Sequence, residues 1–286
     1  MTNSETELVV AKTAAELHAA LDAWRKAGLR VALVPTMGAL HAGHLALARE
    51  ARGRADKVVV SIFVNPAQFA PHEDFARYPR DFEKDRAMLE GQGTADLIYA
   101  PVLREIYPQG FATKVVVEGP SAGLEGDFRP HFFSGVATVV TKLFLSCRPD
   151  FAMFGEKDYQ QLLVVKRLTK DLDLGLKVIG VPTSREEDGL AISSRNAYLT
   201  AEQREVAAHL NRVLRKVAER ARAGVSIPQA EAEGAAQLLG AGFDRVDYVA
   251  VRDAQTLAPM GTLSSPARVL AAARVGGVRL IDNMAV

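Results

Sequence analysis

Two histidines three residues apart, His41 and His44, follow an apolar run in the stretch PTMGALHAGH at residues 35–44. At the start of a helix such a pair can share one face a turn apart, so both imidazoles could donate to the same phosphate oxygens. Three further polar clusters punctuate the chain: Asn65 with Gln68; Gly155, Glu156, Lys157 and Asp158 with Gln161; and Ser193, Ser194 and Arg195. Lys157 would put a point charge beside a phosphate. Asp158 could hold ribose hydroxyls or a magnesium ion. Two hydroxyls and a guanidinium in a row are good donors for a polyphosphate. Gln68 and Gln161 are neutral amides that both donate and accept. Two of them could orient a small hydroxy acid without a cation gripping its carboxylate, which would stay nucleophilic. Each cluster also has a bland reading: solvent-facing histidines, a charged turn, helix-capping serines, surface glutamines.

The elements that must position these groups follow from periodicity. Residues 31–34 are a buried strand, Pro35 ends it, and Leu45, Leu47, Ala48 and Ala51 are the apolar positions of a helix over about 43–55. Strand, glycine-containing turn and helix aim unpaired backbone N–H groups and a positive dipole end at the space above the turn, where phosphate is the usual guest. The glycine spacing is neither of the two nucleotide-loop fingerprints, G-x-G-x-x-G or G-x-x-x-x-G-K-[ST]. The histidine pair is also half a metal site, but no further His or Cys is placed to complete it.

Before this turn come a strand at 7–10 and a helix opened by a Thr13/Glu16 capping box and closed by Gly28. After it, 57–64 reads as a doubly covered strand, 65–80 as a long polar loop, 81–90 as a helix, and 96–100 and 113–117 as strands. A second glycine-rich loop spans 119–135, followed by a buried helix at 136–146, a strand at 151–154, a helix at 159–172 and a strand at 177–181. Alternating strands and helices imply a parallel sheet whose strand ends face one way, so the first three clusters can converge. Residues 184–196 are loop-like and suit a lid. Helices then open at Thr200 and Ser226, each with a capping box, the first running to about 223, and strands follow at 246–251, 268–273 and 278–281. The chain thus divides into an α/β domain over 1–183 and a smaller α+β C-terminal domain over 184–286.

At 286 residues the chain is long enough for two domains. A net charge of +1 and the lack of a basic stripe argue against nucleic acid as a partner. No apolar run approaches the roughly 18 residues of a membrane span. A single cysteine, Cys147, allows no internal disulfide and suits a reducing compartment. These features, with an N-terminus unlike a signal peptide, lead to the expectation of a cytosolic protein.

Taken in order over the whole length, PTMGALHAGH, NPAQF (65–69), YPR (78–80), GEKDYQQ (155–161) and DGLAISSRN (188–196) resemble the pantoate–β-alanine ligase family. The His-x-x-His turn by itself resembles the wider nucleotidyl-transferase superfamily, which includes class I aminoacyl-tRNA synthetases, and 193–195 resembles their mobile phosphate-binding signature. The resemblance implies a Rossmann-like parallel sheet with helices on both faces, followed by a C-terminal lid domain. It implies ATP-dependent condensation of (R)-pantoate with β-alanine through a pantoyl adenylate, giving pantothenate, AMP and pyrophosphate. ATP, a substrate accompanied by Mg2+, would lie on Met37, Gly38, Ala39, Leu40, His41, Ala42, Gly43 and His44. It would also meet Gly155, Glu156, Lys157 and Asp158, and then Ser184, Ile192, Ser193, Ser194 and Arg195. His44 would be the catalytic donor, helped by His41, Lys157, Ser193, Ser194 and Arg195. Gln68 and Gln161 would hold pantoate, with Asn65 beside them and Gln68 also reaching β-alanine. Asp158 and Asp85 are the candidate metal ligands. The resemblance further implies a cytoplasmic homodimer.

Two other readings stay open: a related adenylyltransferase that leaves AMP on its product, and a non-catalytic nucleotide-binding sensor. Two positions depart from the family pattern. The glycine-rich loop reads RPHFFSG at 129–135 where RPGHFRG is common, and Ser184 stands where an aliphatic residue is common.

Overall fold

The computed structural model describes residues 8–71 and 73–286. In chain order the elements are β1 (Val9–Ala11), α1 (Ala14–Lys26), β2 (Val31–Thr36), α2 (Ala42–Arg52), β3 (Lys57–Ile62), α3 (Phe82–Gln92), β4 (Leu97–Tyr99) and α4 (Leu103–Ile106). There follow α5 (Glu125–Phe128), α6 (Phe132–Cys147), β5 (Phe151–Gly155), α7 (Tyr159–Asp171) and β6 (Lys177–Val181). The chain ends with α8 (Ala201–Ala207), α9 (His209–Arg222), α10 (Ile227–Gly240), β7 (Arg245–Asp253), β8 (Ala267–Val275) and β9 (Val278–Ala285). It forms two compact units. One takes residues up to Val117 with His131–Gly155 and Val164–Val181; the other takes Glu118–Pro130, Glu156–Leu163 and Pro182–Val286.

In the first unit six parallel strands run in the order β1-β4-β3-β2-β5-β6. Ala32 and Val34 of β2 and Val58 and Val60 of β3 pack with Leu45 and Ala51 of α2. Leu33 and Val59 point to the opposite face and are equally inaccessible, so the sheet is covered on both sides. From β2 the chain moves to β3 on one side, and from β5 to β6 on the other. The order therefore reverses between β2 and β5, which are paired Ala32 to Phe151 and Leu33 to Ala152. The carboxyl ends flanking such a reversal are where open α/β sheets place ligands. The Thr13/Glu16 capping box of α1 is present with both of its hydrogen bonds.

In the second unit β7, β8 and β9 form an antiparallel sheet in that order. Leu214 and Val217 of α9 and Leu238 of α10 pack with Val251, Val269 and Ala271 of the sheet. The Thr200/Gln203 capping box opens α8 as expected.

Several local expectations fail for identifiable reasons. Residues 113–117 are irregular and join neither sheet; the Val115 N–H donates to Thr138 Oγ1 (3.0 Å) and so is lost to any ladder. The helix expected from 136 begins four residues earlier, at Phe132, so the glycine-rich loop is shorter than its composition suggests. The single helix expected from 200 to 223 is two, with Ala208 serving as C-cap of α8 and N-cap of α9. No proline or glycine marks that break. Ser226 precedes α10 without a side-chain cap; Pro228 in the first turn starts the helix instead. The C-terminal strands are eight or nine residues long rather than short. Of the strand expected at 7–10, Glu7 lies outside the described residues. No described helix is long and apolar enough to cross a membrane.

Candidate active site

The turn after β2 is built by consecutive residues with unusual backbone. Gly38 (φ +76°) and Ala39 (φ +50°) are both left-handed. Thr36 Oγ donates to Ser61 O (2.7 Å) and accepts the Gly38 N–H (3.1 Å), tying the turn to β3. The N–H groups of Ala39 and Leu40 donate to the two carboxylate oxygens of Asp85, at 2.9 and 2.7 Å. Asp85 is buried on α3, and burial pushes its carboxyl above the usual range, although the two N–H groups pull it back. The expectation that this turn presents unpaired N–H groups is therefore corrected at 38–41. Those four donors are taken by Thr36, by Asp85 twice, and by His44.

His41 is the N-cap residue of α2, and its N–H donates to His44 Nδ1 (3.3 Å). The two rings stack with centroids 4.0 Å apart. An imidazole that accepts at Nδ1 carries its proton on Nε2 when neutral. His44 is thus set up as an Nε2 donor. Met37, Ala42 and Gly43 complete the turn and the first helical residues. A cleft of about 280 Å³ adjoins this turn, lined by Met37 and Gly38 and by Arg80, Asp81 and Asp85 among mostly apolar groups.

The long loop after β3 carries its own polar cluster. Asn65 caps the 3-10 turn Pro66–Gln68 by accepting the Ala67 N–H (3.2 Å). Its amide nitrogen donates to Gln68 Oε1 (2.9 Å) and to Gly135 O (3.2 Å). Tyr107 OH donates to Asn65 Oδ1 (2.9 Å). Asn65 is 1% exposed and Gln68 8%, so this is a buried relay rather than a surface loop. Gly135 lies inside α6 because it must: a Cβ there would overlap the Ala67 carbonyl oxygen and stand 2.7 Å from its carbon.

In the second unit the turn Glu156–Asp158 is held from β9. Asn283 Nδ2 donates to the carbonyls of Glu156 (2.9 Å) and Lys157 (2.8 Å). Arg268 on β8 pairs with Glu156 (2.8 Å) and lies over the Tyr159 ring, 3.9 Å from its centroid. Lys157 Nζ stands 3.9 Å from Asp158 Oδ2. Gln160, which no spacing singles out, is the buried member of the glutamine pair. It accepts the Glu125 N–H (3.0 Å) and donates to the carbonyls of Pro120, Ala122 and Gly123. It thereby fixes the glycine-rich segment and leaves Gln161 as the half-buried partner.

The segment 184–196 is a tethered turn rather than a bare loop. Arg185 and Ala191 form an antiparallel bridge, and Ile192 N donates to Ser184 O (3.0 Å). Arg185 grips buried Asp282 through its two terminal guanidinium nitrogens, at 2.7 and 2.9 Å. Asp188 pairs with Arg204, which holds its carboxyl below the usual range. Ser193 caps the 3-10 turn Ser194–Tyr198 by accepting the Arg195 N–H (3.3 Å). That turn and the Glu156–Asp158 turn both contact β9. One strand thus touches the turn that carries Lys157 and the turn that carries Ser194 and Arg195, two clusters far apart in sequence.

Behind these turns Arg279 on β9 donates to both oxygens of Glu125 (2.7 Å each) and to Asp247 (2.7 Å). This buried network, like Asp85, Tyr107, Gln160 and Asn283, has no signature in sequence spacing. Cys147 is buried in α6 with its thiol pushed up to about 12 by burial, so it offers no nucleophile. Among the described residues no three His, Cys, Asp or Glu side chains cluster as a metal site.

A family model described as pantoate-β-alanine ligase matches residues 9–285. The chain is 58% identical over 280 residues to the pantothenate synthetase of Rhodopseudomonas palustris strain HaA2, covering 97% of this chain and 98% of that one. It is 56% identical to the enzyme of the same name from Paramagnetospirillum magneticum, covering 98% and 99%. The crystal structure of pantothenate synthetase from Thermus thermophilus matches with a TM-score of 0.90 at 51% identity, covering 97% of this chain and 99% of that one. The pantoate-β-alanine ligase of Francisella tularensis, complexed with β-γ ATP and β-alanine, matches with a TM-score of 0.82 at 33% identity over 97% of each chain. With its motifs in order and matches of this extent, the chain belongs to the pantoate–β-alanine ligase family and is an enzyme that condenses pantoate with β-alanine in an ATP-dependent reaction.

Proposed function

We propose that the condensation runs in two steps on the residues just described. The pantoate carboxylate attacks the α-phosphorus of ATP, forming the acyl phosphate bond of pantoyl adenylate and releasing pyrophosphate. The neutral β-alanine amine then attacks the acyl carbon, its nitrogen releases a proton to solvent as the amide forms, and AMP leaves with the electron pair of the broken C–O bond. Negative charge builds on the α-phosphate and on pyrophosphate in the first step. Donors preset at those oxygens stabilise the transition state more than the ground state.

The observation that carries this reading is the His41 N–H bond to His44 Nδ1, which leaves the proton of the neutral His44 ring on Nε2. His44 donates to the phosphates with His41. Lys157, Ser193, Ser194 and Arg195 supply further donors, and the contact of the 156–158 and 194–198 turns with β9 supports placing them on one triphosphate. ATP lies along 37–44, 155–158, Ser184 and 192–195. Pantoate lies on Gln68 and Gln161 near Asn65, with β-alanine reached by Gln68. Residues 1–183 then bind nucleotide and pantoate, and 184–286 close over them. The adenylate is water-sensitive, which gives such closure a purpose. The Francisella relative is complexed with β-γ ATP and β-alanine, which supports both as ligands of this enzyme.

Mg2+ accompanies the triphosphate and, when bound, neutralises charge on the phosphate oxygens. Asp158 fits that ion better than Asp85. Both Asp85 oxygens already accept N–H groups, whereas the Asp158 side chain is 42% exposed. We assign the enzyme to the cytoplasm as a homodimer on the family resemblance.

The test is pantoate-dependent exchange of labelled pyrophosphate into ATP, followed by AMP release only after β-alanine is added. His44→Ala should remain folded and lose about a hundredfold or more in exchange rate. Exchange at the parent rate would remove His44 from the mechanism. Product retaining AMP would indicate an adenylyltransferase instead.

A further inference from the structure

We propose that Tyr107 is a positioning residue that holds the Asn65–Gln68 relay in one polarity, so that Gln68 offers its amide N–H groups, not its carbonyl, to pantoate. The inference rests on the reading of Gln68 as a pantoate ligand.

The geometry argues it step by step. Asn65 Oδ1 receives two donors, the Tyr107 hydroxyl at 2.9 Å and the Ala67 N–H at 3.2 Å. An amide carbonyl has two lone pairs, and both are used. The Asn65 nitrogen must then face the other way, where it meets two acceptors, Gln68 Oε1 and Gly135 O. With its oxygen turned to Asn65, Gln68 carries its nitrogen at the opposite end. A neutral N–H donor complements an oxygen of a hydroxy acid without neutralising the carboxylate that must attack ATP. Reversing Asn65 would set its NH2 against the Ala67 N–H and its oxygen against the Gly135 carbonyl. These backbone groups choose the direction of Asn65, and the Tyr107 hydroxyl, made a donor by that choice, holds the side chain in it and so holds Gln68.

Tyr107 is suited to hold that order. Burial raises its hydroxyl to about 12 despite the bond to Asn65, so it stays a donor across the working pH range. Its ring is wedged by Phe111 and Phe63, with centroids 5.1 and 6.3 Å away, which fixes the direction of the hydroxyl. Tyr107→Phe keeps these ring contacts and deletes the one donor.

The experiment is steady-state kinetics with pantoate and ATP varied separately, alongside thermal melting. Tyr107→Phe should raise the pantoate KM about five- to tenfold, leave the ATP KM within twofold and barely move Tm. Asn65→Asp is the sharper variant. Its carboxylate still accepts from Tyr107 and Ala67 but cannot donate to Gln68 Oε1, so Gln68 must turn and present its oxygen to pantoate. That variant should raise the pantoate KM about a hundredfold. Adding Tyr107→Phe to it should cost little more, because the relay is already inverted. Gln68→Ala separates the two readings. A pantoate KM unchanged by Gln68→Ala would overturn Gln68 as a ligand and the relay with it. A large effect of Gln68→Ala beside a Tyr107→Phe variant indistinguishable from the parent would overturn the Tyr107 inference alone. So would equal rises in both KM values together with a lowered Tm, the pattern of a purely structural role.

Discussion

In the parallel-sheet unit the motif residues are held by backbone groups and amides: Thr36 on Gly38, the His41 N–H on His44, Asn65 between Tyr107 and Gln68. Asp85 is the one carboxylate named among these bonds, and it accepts from backbone N–H groups rather than from a cation. In the other unit the equivalent turns add ion pairs to the amide bonds of Asn283 and Gln160: Arg268 with Glu156, Arg185 with Asp282 and Arg279 with Glu125 and Asp247. The neutral scaffold fixes hydrogen-bond direction, which suits a site that must recognise one small acid. The ionic scaffold fixes position through charge, which suits turns that carry donors for a polyanion. The first should fail through sterics and wrong polarity, the second through loss of a counter-ion.

The sharpest break of the neutral scaffold is Gly135→Ala. A new Cβ would overlap the Ala67 carbonyl oxygen and crowd Gln68 N at 3.1 Å, and backbone cannot swing aside as a long side chain can. Overpacking of this kind costs about 1–3 kcal/mol or more. A displacement of Gln68 approaching about 1 Å should also lower kcat/KM for pantoate about a hundredfold. Denaturant melts and pantoate kinetics check both; a variant with parent pantoate kinetics would show that the contact does not set the Gln68 position.

The ionic scaffold is broken most directly by Asp282→Asn. Asp282 is 3% exposed and takes both Arg185 nitrogens, as well as a longer bond from Asn211 at 3.3 Å. Removing one partner of a buried pair typically costs about 3–5 kcal/mol. Arg185 is 24% exposed and can recover some hydration, so about 2–3 kcal/mol is expected. The loss should concentrate in 184–196, read as faster amide exchange there than around His44. Uniform loss of protection across both units would erase the proposed contrast.

How much of this is legible in the sequence follows the same division. The strand, turn and helix around His41 and His44 are legible because apolar period and turn residues are local signals. So are the capping boxes at Thr13 and Thr200, whose partners lie three residues apart. Asp85 reads only as a metal candidate, because its partners Ala39 and Leu40 lie 46 and 45 residues away and nothing in spacing reports a pairing across a fold. Gly135 reads as a loop glycine, since its reason is a contact with Ala67 rather than a turn. Gln160 and Gln161 are neighbours of one type, and only topology shows which is buried beneath the glycine-rich segment. Arg268, Arg279 and Asn283 sit on strands whose pattern reports a sheet and says nothing of the turns it carries.

Asp85→Asn tests the neutral scaffold at the carboxylate that holds the left-handed turn, and the expected effect on stability is the smallest. At neutral pH the parent keeps a buried carboxylate whose desolvation outweighs the bonds it accepts, so its carboxyl titrates above the usual range. The amide removes that burial cost but turns an NH2 toward one of the two turn N–H groups, a mismatch worth about 1–3 kcal/mol. The two effects oppose, and the net change in stability should stay within about 1 kcal/mol. Activity should separate from stability: one N–H of the left-handed turn loses its acceptor, His41 and His44 shift with it, and kcat/KM for ATP should fall about tenfold. The pH dependence has a definite sign. A carboxyl that titrates higher folded than unfolded binds its proton more tightly in the folded state, so the parent gains stability as pH falls through the folded value toward the unfolded value of about 3.9. The variant has no such limb. The parent should therefore gain on Asp85→Asn on acidification, with Asp81 and Lys84, the charged neighbours on the same helix end, unchanged in both proteins. A constant difference between the two melts across that window would mean that Asp85 is solvated like an ordinary surface carboxylate, and the left-handed turn would then need another support.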